Sequence, residues 1–135
     1  WRNRNPGNMR PRSTKLPVDH VAVDQDPGGP FGIYGSERDG WADLAARIIQ
    51  LWRGGTNTVG GIIAVWAPPS ENNTNVYIRG VASALGVAPD TVIDPRPIAT
   101  MRVLADAIRR HEGLGSDPAW NADEREAGLR LGGCV

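Results

Sequence analysis

One carboxylate in this sequence falls where a helix would hold it against an apolar surface. Ahead of Arg109-Arg110-His111-Glu112-Gly113, the apolar residues Met101, Leu104, Ala105 and Ile108 share one helical face. The same spacing, continued by four residues, reaches Glu112. A carboxylate so placed projects toward apolar neighbours and sits at the negative end of the helix dipole, and both effects disfavour its ionised form. Acid-catalysed cleavage of a glycosidic bond near neutral pH needs such a group, a Glu raised from ~4.3 to about 6. Arg109 and Arg110 oppose the shift if they come close. The spacing is equally compatible with a solvated Glu at a frayed helix end.

The other acidic residues have simpler roles open to them. Glu37 falls in the first helical turn after Ser36, where a carboxylate stabilises the dipole. Glu71 lies in a polar elbow, between Pro68-Pro69-Ser70 and Asn72-Asn73-Thr74. It reads either as an N-terminal helix charge or as a second site residue. Asp24 and Asp26 stand among Gly and Pro and are expected to shape turns. Five tryptophans invite the question of sugar stacking. Trp41 and Trp52 belong to a helix core face. Trp66 and Trp120 abut the polar elbow and the loop after Glu112, so they are the carbohydrate candidates, with core packing as the competing role.

Several chemistries lack their residues. His20 and His111 have no metal-ligand spacing, so no metal or other cofactor is expected. No Ser stands in a nucleophile elbow, and the single Cys134 is read as an idle thiol with no internal disulfide. The Gly-rich stretches lack the phosphate-loop pattern.

The elements that must position these residues read as a mainly helical chain. Residues 1–35 are rich in Pro, Gly, Asn and Arg, and predict ordered loop with one short hairpin pairing Val21–Val23 with Gly32–Tyr34. A helix starts at Ser36, with Trp41, Leu44, Ala45, Ile48 and Trp52 on one face, and stops at Gly54-Gly55. Thr58–Trp66 predicts a short apolar helix. Ser70 or Asn73 caps the next, whose stripe is Tyr77, Ile78, Val81, Ala84 and Leu85 and whose stop is Gly86. Asp94-Pro95 opens a helix to Glu112, and a last one covers Ala122–Leu131. About five helices around one core, in a single domain over 1–135, is the expected architecture.

Composition agrees with a globular domain: 135 residues, 40% hydrophobic and 22% charged. Fifteen basic and fifteen acidic residues cancel, which argues against a nucleic-acid partner. No apolar run approaches the ~18 residues of a membrane span. A start at Trp1 rather than Met leads us to expect a piece of a longer protein, with its export signal outside this sequence.

Arg4-Asn5-Pro6-Gly7-Asn8-Met9-Arg10 resembles the "RNNPGNIR" opening of a family of phage virion and prophage proteins, often labelled structural proteins. The likeness continues through Phe31-Gly32-Ile33-Tyr34-Gly35-Ser36-Glu37-Arg38-Asp39-Gly40, through Asn57-Thr58-Val59 and Trp66-Ala67-Pro68-Pro69-Ser70-Glu71-Asn72-Asn73-Thr74-Asn75-Val76-Tyr77-Ile78, and ends at Arg110-His111-Glu112. It covers nearly the whole chain. Segments of that family are similar to lysozyme-like lytic transglycosylases in a different order, which implies a circularly permuted lysozyme-like fold. The resemblance implies that Glu112 takes the acid's place, that Asn5 and Asn8 line the groove, and that Glu71, Asn72 and Tyr77 form its far wall. The chain departs from the family at Gly113-Leu114 and at Trp120-Asn121, in the loop expected to touch sugar.

The expected activity is cleavage of the N-acetylmuramic acid to N-acetylglucosamine β-1,4 bond of peptidoglycan. A transglycosylase needs only Glu112, whereas a hydrolytic muramidase would add a second carboxylate, with Glu71 the candidate. The partner is then the glycan strand, joined by other domains of a larger virion or secreted protein. The site of action would be the bacterial periplasm or cell wall. The alternative from another class is a non-catalytic virion structural or wall-binding module.

Overall fold

A computed structural model describes residues 3–11, 18–67, 73–112 and 121–135. Among these residues it has a two-stranded sheet, β1 (Ala22–Val23) and β2 (Gly32–Ile33), followed by five helices. These are α1 (Glu37–Arg53), α2 (Val59–Trp66), α3 (Thr74–Leu85), α4 (Ile98–His111) and α5 (Ala122–Leu131). The fold is mainly α with a short N-terminal hairpin. None of the described helices is long and apolar enough to cross a membrane.

Local chemistry accounts for most helix ends. Ser36 is extended, and its hydroxyl accepts from the Asp39 amide at 3.1 Å, while Glu37 and Asp39 face the positive end of the α1 dipole. Thr58 caps α2 through the Gly61 amide at 3.0 Å. Asn73, rather than Ser70, caps α3, which stops at Gly86 in the left-handed conformation (φ 70°). Asn121 caps α5 by accepting from the amides of Asp123 and Glu124. The hairpin is antiparallel and pairs Ala22 with Ile33 and Val23 with Gly32.

Helix α4 begins at Ile98, four residues after Asp94. Pro97 disfavours helical backbone for Arg96, and Asp94 uses its carboxylate on the Arg96 amide and guanidinium instead. Arg96 and Ile98 then pair with Val135, through Val135 N–H to the Arg96 carbonyl and Ile98 N–H to the Val135 carbonyl. The buried stripe of α3 also differs from expectation. Helix α3 packs against both α2 and α4, so its buried apolar face is Tyr77, Val81 and Ala82, while Ala84 is exposed. Trp52 lies at the core's edge, half-buried under the Arg96 guanidinium, 4.2 Å from the ring centroid.

One hydrophobic cluster joins all five helices, with Trp41, Leu44, Ile48, Ile62, Ile63, Val81, Met101, Leu104, Ile108 and Leu129 fully buried in it. Helices α1 and α5 approach closely because α5 presents glycine. A Cβ at Gly128 would lie 2.4 Å from the Arg38 carbonyl oxygen, and one at Gly132 would lie 2.4 Å from that of Ala42. Helices α4 and α5 are joined at the surface by Arg102–Glu126 and Arg125–Asp106.

The N-terminal loop is fastened to this frame by buried polar groups. Asn5 is 2% exposed. Its amide donates to the Met9 and Gly32 carbonyls at 2.9 Å each, and its oxygen accepts from the Met9 amide at 2.8 Å. Behind the hairpin, the Tyr34 hydroxyl donates to the buried Asp43 carboxylate, which also takes a two-point contact from Arg47 one turn along α1. Burial and the Asp43 charge push the Tyr34 hydroxyl well above its ordinary range, so it remains a donor.

Candidate active site

Glu112 is the C-cap residue of α4. All of Met101, Leu104, Ala105 and Ile108 are buried, and Glu112 follows them, half-buried, at the end of their face. Arg109 and Arg110 supply the last turn with cationic side chains suited to a helix C-terminus, and His111 follows them. Arg109 reaches back to Asp106 at 3.8 Å.

Two other chain segments meet Glu112. From α3, the Tyr77 hydroxyl lies 3.4 Å from Glu112 Oε1 and 3.5 Å from the Ile108 carbonyl, long contacts at the outer limit of hydrogen bonding. Burial, followed by the adjacent Glu112 charge and the bond to it, pushes the Tyr77 hydroxyl far above its ordinary value of 10. Tyr77 therefore meets the carboxylate as a proton donor in a hydrogen bond and not as a base. From the N-terminal loop, the Asn8 side-chain amide donates to the Glu112 carbonyl at 3.2 Å. Asn8 holds a left-handed backbone (φ 46°), a conformation Asn tolerates better than most residues.

The loop that presents Asn8 is itself supported by Trp66. The indole N–H donates to the Gly7 carbonyl at 3.1 Å, and a Cβ at Gly7 would come within 2.6 Å of the indole ring. Only glycine allows that approach. Trp66 is half-buried, with its polar edge used inside the protein, so it acts as a prop for the loop. Asn5, expected to line the groove, is likewise internal: its burial and its bonds to Met9 and Gly32 shape the loop and leave it no surface to offer a sugar.

No protein-family model matches this chain, and no curated protein is significantly similar to it.

Of the residues read from sequence as site candidates, Glu112, Tyr77 and Asn8 come together, and Asn5 and Trp66 stand behind them. Glu71, Asn72 and Trp120 lie outside the described residues. Two neighbouring segments are nonetheless anchored. Thr74 Oγ1 donates to the Ala67 carbonyl at 2.8 Å, tying the end of α2 to the start of α3. Glu37 accepts from the Asn121 amide at 2.9 Å, so it holds the start of α5 as well as serving the α1 dipole. Among the described residues, no group of three or more His, Cys, Asp or Glu side chains could hold a metal ion.

Sequence reasoning missed His111. Its ring stacks on Tyr77 with centroids 4.8 Å apart and planes 17° from parallel. The available signal was Gly80, three residues after Tyr77 within α3. Interior helical glycine costs roughly 0.5–1 kcal/mol relative to Ala, and it commonly marks a close approach.

Proposed function

We propose that this chain cleaves the β-1,4 bond between N-acetylmuramic acid and N-acetylglucosamine in peptidoglycan, as a lytic transglycosylase with Glu112 as its acid and base. One observation carries the reading. The Glu112 carboxylate, at the end of an apolar helix face, is met by the Tyr77 hydroxyl, while the Asn8 amide, from a distant part of the chain, donates to the backbone carbonyl of the same residue. The mainly helical fold is compatible with a permuted lysozyme-like arrangement, which belongs to the same proposal.

In the reaction, Glu112 gives its proton to the glycosidic oxygen as the bond to muramic acid C1 breaks, leaving N-acetylglucosamine with a free 4-hydroxyl. The muramic acid 6-hydroxyl then attacks C1, and its proton returns to the Glu112 carboxylate. Water is neither consumed nor released, and the product carries a 1,6-anhydro ring. Tyr77 stabilises the carboxylate in the interval when it is charged, while Asn8 holds the helix end that carries it. The work place would be the bacterial periplasm or cell wall, reached from a phage particle or by secretion.

The test is to incubate peptidoglycan sacculi with the protein and with Glu112→Gln, and to analyse the soluble products by mass spectrometry. Anhydromuropeptides are expected from the parent, with release lowered about 10²–10⁴-fold in the variant. Reducing-end products would make the chain a hydrolytic muramidase and turn attention to Glu71. Sedimentation with sacculi and no release would leave a wall-binding module and end the enzyme reading.

A further inference from the structure

His111 occupies a slot that α3 is built to provide. One wall is the face of the Tyr77 ring, and the floor is the backbone at Gly80. A Cβ at residue 80 would lie 2.1 Å from His111 Nε2 and 2.5 Å from Cε1, so any side chain there would drive the imidazole out. Tyr77 is 4% exposed, and one face of its ring lies against the His111 imidazole. Its hydroxyl makes only long contacts, at 3.4 and 3.5 Å, which do little by themselves to fix the ring.

We propose that His111 is a positioning residue, holding the Tyr77 ring so that its hydroxyl addresses the Glu112 carboxylate. This rests on the reading of Glu112 as the acid, and it adds a third residue to that site. His111 and Glu112 are adjacent on the chain, so the same helix end presents both the carboxyl and the ring that sets its partner. Flat stacking resists rotation of Tyr77 about its own axis, and the glycine slot keeps the imidazole from sliding away. Small misplacement of a group near the reacting atoms is costly to rate, whereas substrate contacts made elsewhere are unaffected.

The test compares His111→Ala, Gly80→Ala and the double variant in release of muropeptides from sacculi, and solves crystal structures of the parent and the His111→Ala protein. His111→Ala is expected to lower kcat about tenfold with KM nearly unchanged, and Gly80→Ala to do the same by expelling the ring. Alanine favours a helix more than glycine does, so Gly80→Ala should fold at least as well as the parent. In the His111→Ala background the Gly80 change should have no further effect, because the ring it displaces is already gone. An unchanged kcat in His111→Ala, a loss confined to KM, or equal losses from Gly80→Ala in both backgrounds would overturn the proposal. If the parent releases nothing, the enzyme reading falls. The inference about His111 is then decided by the crystal structures. A Tyr77 hydroxyl that leaves Glu112 in His111→Ala supports it, and one that stays in place refutes it.

Discussion

The side-chain amide of Asn8 donates to the backbone carbonyl of Glu112 at 3.2 Å, joining residues 104 positions apart. That carbonyl is among the last of α4, which have no partners within the helix. Asn8 therefore does for the end of α4 what a cap does, and it does so from a loop held by Asn5, Gly7 and Trp66. Fixing the backbone of Glu112 also fixes the root of its carboxylate.

Replacing Asn8 separates the bond from the backbone conformation. Asn8→Ala loses the donor and leaves at φ 46° a residue that tolerates the left-handed conformation less well than Asn, and should cost about 2 kcal/mol. Asn8→Gly loses only the bond and should cost about 1 kcal/mol. Urea denaturation of the two variants measures the difference. Equal midpoints would show that the left-handed conformation carries no strain.

The α1–α5 contact should be intolerant of one methyl group. Gly128→Ala raises helix propensity, yet its Cβ would sit 2.4 Å from the Arg38 carbonyl, a backbone atom that cannot swing aside. The helices must separate, at a cost of roughly 1–3 kcal/mol. Thermal unfolding should show a lower Tm for this variant, in contrast to Gly80→Ala, where the obstructing atoms are the ring of His111, a side chain that can rotate away. A Tm at or above the parent's would show that the helices part without loss.

Acid should weaken the surface clamp between α4 and α5. The hydrogen bond from Arg102 holds the Glu126 carboxyl below its ordinary 4.5, against an opposing push from burial. A carboxyl with a depressed folded-state value stabilises the protein above 4.5 and loses that contribution as pH falls through its folded value. Glu126→Gln should therefore be less stable than the parent at pH 7, by under about 1 kcal/mol, and the two should converge as the pH falls below 4.5 through the folded-state value. Denaturation midpoints across that range provide the check, and parallel curves would rule the linkage out.

Cys134 should resist modification while the protein is folded. Its side chain is 5% exposed, and burial pushes the thiol up to about 11 from 9.0. At pH 8 the thiolate fraction is then roughly 100-fold lower than for an unperturbed thiol, before access is considered. Reaction with a disulfide reagent should be slow in buffer and fast in denaturant. Rapid labelling in buffer would mean that the end of α5 opens readily.

Much of the architecture was legible because its signals are local. Ser36, Thr58 and Asn121 begin helices by satisfying amides two or three residues ahead, and Gly86 ends one by adopting a conformation that side chains avoid. The hairpin strands were legible as short apolar runs within a segment rich in Gly and Pro. The start of α4 was not, because Asp94-Pro95 imitates a helix opening. Pro97 and pairing with Val135 then keep the segment extended.

The sequence by itself determined the number and order of the helices, most of their ends, and that Glu112 closes the apolar face of one of them. A 3.6-residue period and short-range capping need no knowledge of neighbours. Only the tertiary structure decided that Asn5 is buried within the loop it shapes, that Tyr77 and Asn8 meet at Glu112, and that Gly80 clears a slot for His111. Those contacts join positions far apart in the chain. Their distances depend on how helices cross and pack, and no residue pattern along a single helix encodes that.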